Sequence, residues 1–348
     1  MTDDPADIFE QPEKREFDGR GRYLLDSPYT GNEMSFTRVT NFAKSLKDSY
    51  ALNQWLQRRV VKGLALSPKL VFRAATLDAE KDKDELDKIA SQAKNAAGGS
   101  DAANKGTRLH KLTDDLDSGL LSLEGVPESH RADISAYQEC LSVHGLSVVP
   151  DMIERRVCLP QYGVAGKFDR VLLEADGSHA IGDFKSGQDL SYSWLEIAIQ
   201  LACYAHGINR CGVWDARNRR WIAVPPVRTD YAVVVHVPAG SASCTMYRLD
   251  IQVGWEAVKL CADVRDMRNQ RHALAVPYEA PLPQKPVGDA VTAFRDVRRL
   301  ADWEARFGAV QSKQEAATLY REARRIYPEG SAELASLVRI GQDALRLL

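Results

Sequence analysis

The hydrophobic period of this chain changes near residue 150, and that change limits its fold more than any other feature. Before it, apolar residues recur at helical spacing. Val39, Phe42, Leu46, Tyr50 and Trp55 predict a helix over 37–66, and a second helical stretch runs over 70–97 through the charged segment Asp78–Lys88. After the break Ala97-Gly98-Gly99-Ser100, two further helices are expected over 105–123 and 130–144. Beyond Asp151 the period falls to two. Segments 153–159, 164–175 and 180–185, separated by Gln161-Tyr162-Gly163 and Asp176-Gly177-Ser178, predict a three-strand meander. A helix over 193–207, strand pairs 212–215 with 221–224 and 231–237 with 245–249, and a helix over 255–271 follow. Strands interleaved with helices in this way predict an α/β fold, with a mixed central sheet flanked by helices.

The ends of the chain differ from this core. Residues 1–34 are polar, with scattered Pro, Gly and Asp, and are expected to form an arm that is flexible or ordered only by docking. The core, including the N-terminal helices, is expected over 35–276. A Pro-rich linker over 277–288 then leads to a small helical module over 289–348, with helices at 289–307, 313–327 and 332–347. With 348 residues, 44% hydrophobic and 27% charged, the chain can build one large core and such an appendage.

Composition also removes some functional classes. No apolar run approaches the roughly 18 residues of a membrane span. The acidic opening Met1–Glu10 lacks the layout of a signal peptide, so a cytoplasmic protein without a membrane partner is expected. Six cysteines without a C-x-x-C pair fit neither a disulfide framework nor a zinc site, and are expected to be reduced packing residues. The formal net charge of −2 gives nucleic-acid binding no global support, so any such groove must be local.

The chemistry-bearing residues concentrate around the meander. Alternation along Ala180-Ile181-Gly182-Asp183-Phe184-Lys185 puts Asp183 and Lys185 on one face. A hairpin with the preceding strand brings Asp169 beside Asp183. Two adjacent carboxylates repel unless a cation lies between them, and Mg²⁺, or Mn²⁺ as a substitute, suits carboxylate oxygens. Gln200 and Tyr204, four apart on the next helix, share a face. Upstream, Thr107 is read as a helix N-cap that places His110 one turn in. Each piece also has a bland reading: Asp183 and Lys185 as an ordinary ion pair, Asp169 paired with Arg170 or Lys167, and His110 as a packing histidine.

Taken in order, Gly-Thr-x-x-His (106–110), Gly-x-x-Asp (166–169), Asp-x-Lys (183–185) and Gln-x-x-x-Tyr (200–204) resemble the RecB-type branch of the PD-(D/E)XK nuclease superfamily. That resemblance implies a restriction-endonuclease-like core with helical N-terminal and C-terminal parts. It implies that Asp169, Asp183 and the Phe184 backbone carbonyl hold Mg²⁺, that His110 ligates or supports a metal, and that Lys185 orients or activates the attacking water. Gln200 and Tyr204 would brace the site and contact the DNA strand. The implied activity is that of a phage-like recombination exonuclease acting on duplex ends or single strands, with a single-strand annealing protein as a partner. A structure- or sequence-selective endonuclease of the same fold, and a vestigial DNA-binding subunit, are the alternatives. Relatives that carry an iron-sulfur cluster use one upstream cysteine and a downstream trio. This chain has no cysteine before Cys140 and no trio, so no cluster is expected.

Several other residues admit two readings. Glu154 is either a supporting carboxylate or an exposed strand residue. Arg155, Arg156, Lys167, Arg170, Arg217, Arg219 and Arg220 either neutralise phosphates or are solvated charges. Tyr192 and Trp194 either stack on an unpaired base or pack on the sheet. Arg295, Arg298, Arg299, Arg321, Arg324 and Arg325 in the tail are interleaved with acids, which predicts an ordinary amphipathic surface.

Overall fold

The structure, a computed structural model, describes residues 16–99, 101–275, 302–324, 326–327 and 331–346. It begins with strand content earlier than the sequence pattern suggests. Strands β1 (Tyr23–Asp26) and β2 (Glu33–Arg38) form an antiparallel hairpin, with Leu25 and Phe36 buried. The expected arm is therefore a docked hairpin over its described part, while residues 1–15 lie outside the described residues.

The expected helix over 37–66 is interrupted. Thr37 and Arg38 belong to β2, a short helix α1 (Val39–Ala43) buries Val39 and Phe42, and α2 (Tyr50–Leu66) starts afresh. Helix α3 (Pro68–Ala75) opens on Pro68, whose fixed φ and missing amide suit a first helical turn. It does not run into α4 (Lys83–Ala96), because the Asp78 carboxylate takes the amides of Glu80 and Lys81 at 2.9 and 3.0 Å and closes a turn there. Helix α5 (Asp101–Asp117) starts six residues before Thr107, so Thr107 lies inside the helix and is not its N-cap. Gly106 earns its place by proximity: a Cβ there would meet Ser186 Oγ at 2.4 Å, so α5 passes close to the loop after the Asp183 strand. Helix α6 (Glu128–Val143) completes the N-terminal set.

Two sheets follow instead of one meander. Strands β3 (Ser147–Val148), β4 (Arg156–Leu159), β5 (Val164–Lys167), β6 (Arg170–Leu173) and β7 (His179–Lys185) lead into helix α7 (Trp194–Cys211). Then come β8 (Val213–Asp215), β9 (Arg220–Ile222), β10 (Tyr231–His236), β11 (Thr245–Asp250) and helix α8 (Ile251–Asn269). One sheet has the order β1-β2-β5-β4-β8-β9 and the other β11-β10-β7-β6-β3. Both are mixed: β2 runs parallel to β5, and β10 parallel to β7. The predicted continuous strand 164–175 breaks at Phe168-Asp169, where the chain leaves one sheet for the other. Both crossing residues stay tied to the first sheet, since Phe168 donates its amide to the Arg155 carbonyl at 3.1 Å and Asp169 O accepts from Glu154 N at 2.8 Å.

The five-stranded sheet is covered on both faces. Val171, Ile181, Ala232 and Val234 pack with Ile199, Leu201 and Val258 of α7 and α8. Leu172, Ala180, Phe184, Val233 and Val235 pack with Leu109, Ile134 and Tyr137 of α5 and α6. Each of the Val, Leu, Ile and Phe side chains among them contributes about 1.5–3 kcal/mol by leaving water. The fold is α/β, as the sequence pattern predicts. The α8 Gly254 lets the two cover helices touch, since a Cβ there would lie 2.3 Å from the Ala198 carbonyl oxygen.

In the tail, helical residues 302–308 (α9), α10 (Lys313–Ala323) and α11 (Ala332–Arg346) share a separate apolar cluster around Trp303, Phe307, Leu319 and Leu337. The Pro-rich linker, residues 289–301 of the first tail helix, Arg295, Arg298, Arg299 and Arg325 lie outside the described residues. All six cysteines are free thiols, and Cys158, Cys203 and Cys261 are buried. Among the described residues, no helix is long and apolar enough to cross a membrane.

Candidate functional site

The β6–β7 register sets Arg170 opposite Gly182. Continuing that ladder by one residue places Asp169 level with Asp183 at the sheet's end. Asp169 Oδ2 accepts a hydrogen bond from the Phe184 amide at 2.8 Å and meets His110 Nε2 at 3.0 Å. The His110 ring stands edge-on to the Phe184 ring, 5.6 Å between centroids, and its Nδ1 meets Asp114 Oδ2 at 3.1 Å. Three sequence-distant segments thus converge: α5, the β5–β6 break and β7.

Glu154 joins them from the segment before β4. Its backbone is left-handed, with φ of 54°, a conformation costly for a residue with a Cβ. The Asp169 carbonyl holds its amide, and Lys167 pairs with its carboxylate. One ligand atom from each of His110, Glu154 and Asp169 lies within 4.8 Å of the others. These three line an open groove of about 980 Å³, walled by Gly106, Thr107, Lys111 and Asp114 on one side and by Ser186 and Gly187 on another.

Asp183 sits behind this triad. Its side chain is nearly inaccessible, and its Oδ2 lies 2.5 Å from Lys185 Nζ. The ammonium is the partner of this buried oxygen. The contribution of Phe184 on view is its amide, not its carbonyl. Tyr204 is buried, its ring 6.4 Å from that of Phe168, and a Cβ on Gly166 would meet its Cε1 at 2.6 Å. Gln200, one turn earlier, is half-buried and hydrogen-bonds to neither carboxylate.

The electrostatics divide the two carboxylates. Burial works to raise Asp169, but the His110 hydrogen bond and charge, with Lys185 and Arg170, carry it well below the usual carboxylate range. Asp183 goes the other way: burial, reinforced by Asp169, outweighs Lys185 and pushes it up to about 6. Burial would lower His110, yet hydrogen bonds and charge from Asp114 and Asp169 hold it up to about 10. Burial would also lower Lys185, but Asp183 and Asp169 raise it and keep it an ammonium.

The donor chemistry fits a divalent cation. One imidazole nitrogen and two carboxylates lie within reach of a single ion, and Asp183, which feels the charges of both Asp169 and His110, adds negative charge nearby. A cation there would replace the proton that His110 Nε2 now shares with Asp169.

Other predicted residues resolve differently. Arg170 is neither a surface charge nor the partner of Asp169. It is 1% exposed and bonds to Asp114, Asp117, Thr113 and Tyr137. Lys167 goes to Glu154, Arg156 to Glu16, and Arg219 to Asp26 and Glu33, which ties the β8–β9 loop to the first hairpin. Trp194 packs on Tyr247, with centroids 5.0 Å apart, whereas Tyr192 is 86% exposed. Reading the sequence left Glu154 outside the core set and passed over Asp114. The four-residue spacing of His110 and Asp114 on a helix was the available signal for the latter. No protein-family model and no curated protein matches the chain.

Proposed function

We propose that the groove is the active site of a Mg²⁺-dependent deoxyribonuclease of the PD-(D/E)XK class, with a RecB-type arrangement, which hydrolyses phosphodiesters at duplex ends. The observation that carries this reading is the meeting of His110, Glu154 and Asp169 within 4.8 Å, next to the Asp183–Lys185 pair of the neighbouring strand. In the bare sequence those residues belong to four separate motifs or segments. The meeting of His110, Glu154 and Asp169 on one open groove, beside the Asp183–Lys185 pair, is what an isolated Asp-x-Lys ion pair would not require.

His110, Glu154 and Asp169 would hold the ion, with Asp183 completing the negative charge behind it. When bound, the ion neutralises charge on the non-bridging phosphate oxygens and makes water nucleophilic near neutral pH. The Phe184 amide fixes the Asp169 carboxylate through Oδ2. Lys185 stays protonated and supplies a positive charge for the phosphate and for orienting the attacking water. Lys111 on the groove wall, now paired with Asp115 at 3.1 Å, would neutralise a flanking phosphate. Imidazole in the donor set makes Mn²⁺ an effective substitute.

The test is release of nucleotides from end-labelled linear duplex in Mg²⁺, with closed circular DNA alongside. Wild type should shorten the linear substrate, while Asp169→Ala, Asp183→Ala and Lys185→Ala lose at least about a hundredfold in rate. Wild-type protein that releases nothing in Mg²⁺ or Mn²⁺, or variants that match it, refutes the nuclease reading. Nicking of the circle would move the activity to the endonuclease class.

A further inference from the structure

We infer that Asp114 is a positioning residue for His110, clamped in its own turn by the buried guanidinium of Arg170; this rests on the metal-site reading above. His110 and Asp114 are one helical turn apart on α5, where side chains four apart are neighbours. The two oxygens of Asp114 have separate duties. Oδ2 meets His110 Nδ1 at 3.1 Å, and Oδ1 accepts from Arg170 Nη2 at 2.9 Å. Rotating the carboxylate to release the ring would break the second contact, so the clamp resists it.

Arg170 is itself buried and held on several sides. Its Nη1 donates to Tyr137 Oη at 2.6 Å and to Asp117, its Nη2 also reaches Thr113 Oγ1 at 3.1 Å, and its plane lies over the Tyr137 and Phe184 rings. The anchor therefore runs from α6 through the sheet to α5. It ends on the ring whose other nitrogen points at Asp169.

The consequence concerns which nitrogen is available. A carboxylate accepts but cannot donate, and the metal-free ring faces one on each side, Asp114 at Nδ1 and Asp169 at Nε2; an ion that took the place of the Nε2 proton would leave the remaining proton on Nδ1, held by Asp114, and Nε2 as the ligand atom. Asp114 also lines the groove, yet the three ligand atoms that can share one ion come from His110, Glu154 and Asp169, not from Asp114. Its part is to orient a ligand. Outer carboxylates in this position typically contribute 10–100-fold in metal affinity.

Asp114→Asn gives a sharp test, because asparagine can still accept from Arg170 while turning its amide donor toward the ring. Nδ1 must then accept, which moves the ring proton to Nε2 and blocks ligation. The full-length protein is titrated with Mn²⁺ and free ion is followed by electron paramagnetic resonance. In parallel, the His110 tautomer is read from ¹⁵N shifts in Mg²⁺. Asp114→Asn should raise the Mn²⁺ dissociation constant by about 10–100-fold and carry Nε2–H, with folding verified by circular dichroism. Asp114→Ala, which leaves the ring free to choose, should show a smaller loss, and it serves alone if the Asn variant does not fold. A role confined to stability predicts that folded Asp114→Asn and Asp114→Ala bind Mn²⁺ like wild type. That result, or an Asn variant that keeps Nδ1–H, overturns the proposal while leaving the metal site standing. If wild type binds no Mn²⁺, or His110→Ala binds it as tightly as wild type, the metal reading and this proposal fall together.

Discussion

Replacing Arg170 by Met keeps the aliphatic stem and removes the guanidinium. Four bonds disappear: to Asp117, to Tyr137 at 2.6 Å, to Asp114 at 2.9 Å and to Thr113 at 3.1 Å. At about 1.5–3 kcal/mol for each bond to a charged group, a simple sum would reach roughly 6–12 kcal/mol. That sum overshoots, because the partners respond. Asp114 keeps His110 and has solvent within reach, its side chain being 18% exposed, whereas the Asp117 side chain is 7% exposed. The lasting cost is therefore one buried carboxylate without its counter-charge, about 3–5 kcal/mol at neutral pH.

The pH dependence follows from Asp117. Burial already raises its pKa, against the pull of Arg170, and losing Arg170 raises it further. A folded-state pKa above the unfolded value means the folded variant gains a proton first as pH falls, so the penalty is full at high pH and fades on acidification. Urea unfolding at pH 7.5 and pH 5 measures this, provided the slope against urea is unchanged. The gap between wild type and Arg170→Met should narrow at the lower pH. Combining Arg170→Met with Asp117→Asn should cost less than the two changes added together. A midpoint shift worth under about 1 kcal/mol, or a pair of changes that simply add, would refute the claim that this bracket is a mutually dependent unit.

Other outcomes are expected. Gly166→Ala would set a methyl 2.6 Å from Tyr204 Cε1 and 3.0 Å from Val39 Cβ, and should destabilise by about 1–3 kcal/mol in a thermal melt. Gly254→Ala should cost at least as much, since the obstruction at 2.3 Å is the Ala198 backbone oxygen, which cannot turn aside as a ring can. Glu154→Gln should weaken Mn²⁺ binding about tenfold or more while leaving the fold intact; equal affinity by calorimetry would remove Glu154 from the ion's donor set. His206 stacks on Trp255 at 3.8 Å, and burial, aided by Lys259, lowers it from 6.5 to about 4. Its neutral form is favoured on folding, so its contribution is full above pH 6.5 and is lost as pH falls toward 4. His206→Phe should flatten that part of the stability profile.

Much of the fold could be read locally. β10 and β11 form the expected strand pair, antiparallel, with β10 buried almost throughout because both faces of its sheet are covered, and the alternation in 180–185 gave Asp183 and Lys185 a common face. Helix α7 was legible for the same reason at a period of 3.6. Misreadings arose where a local pattern has two tertiary solutions. Segment 164–175 looks like one strand, yet Phe168 and Asp169 turn it from one sheet into the other. Thr107 looks like a cap because a Gly precedes it, yet Gly106 is there so that α5 can approach Ser186.

For the candidate site, the resemblance carried by residue types and their order singled out His110, Asp169, Asp183, Lys185, Gln200 and Tyr204, a pattern that is present wherever the chain goes. Tertiary structure decided their surroundings. It recruited Glu154 through a left-handed backbone and a hydrogen bond to Asp169, turned Arg170 from a surface charge into a buried clamp, and put Asp183 behind the groove that Asp169 lines. Periodicity reports which face of an element a side chain occupies. What that side chain meets depends on pairing between segments tens of residues apart, and those contacts set burial, charge and therefore chemistry.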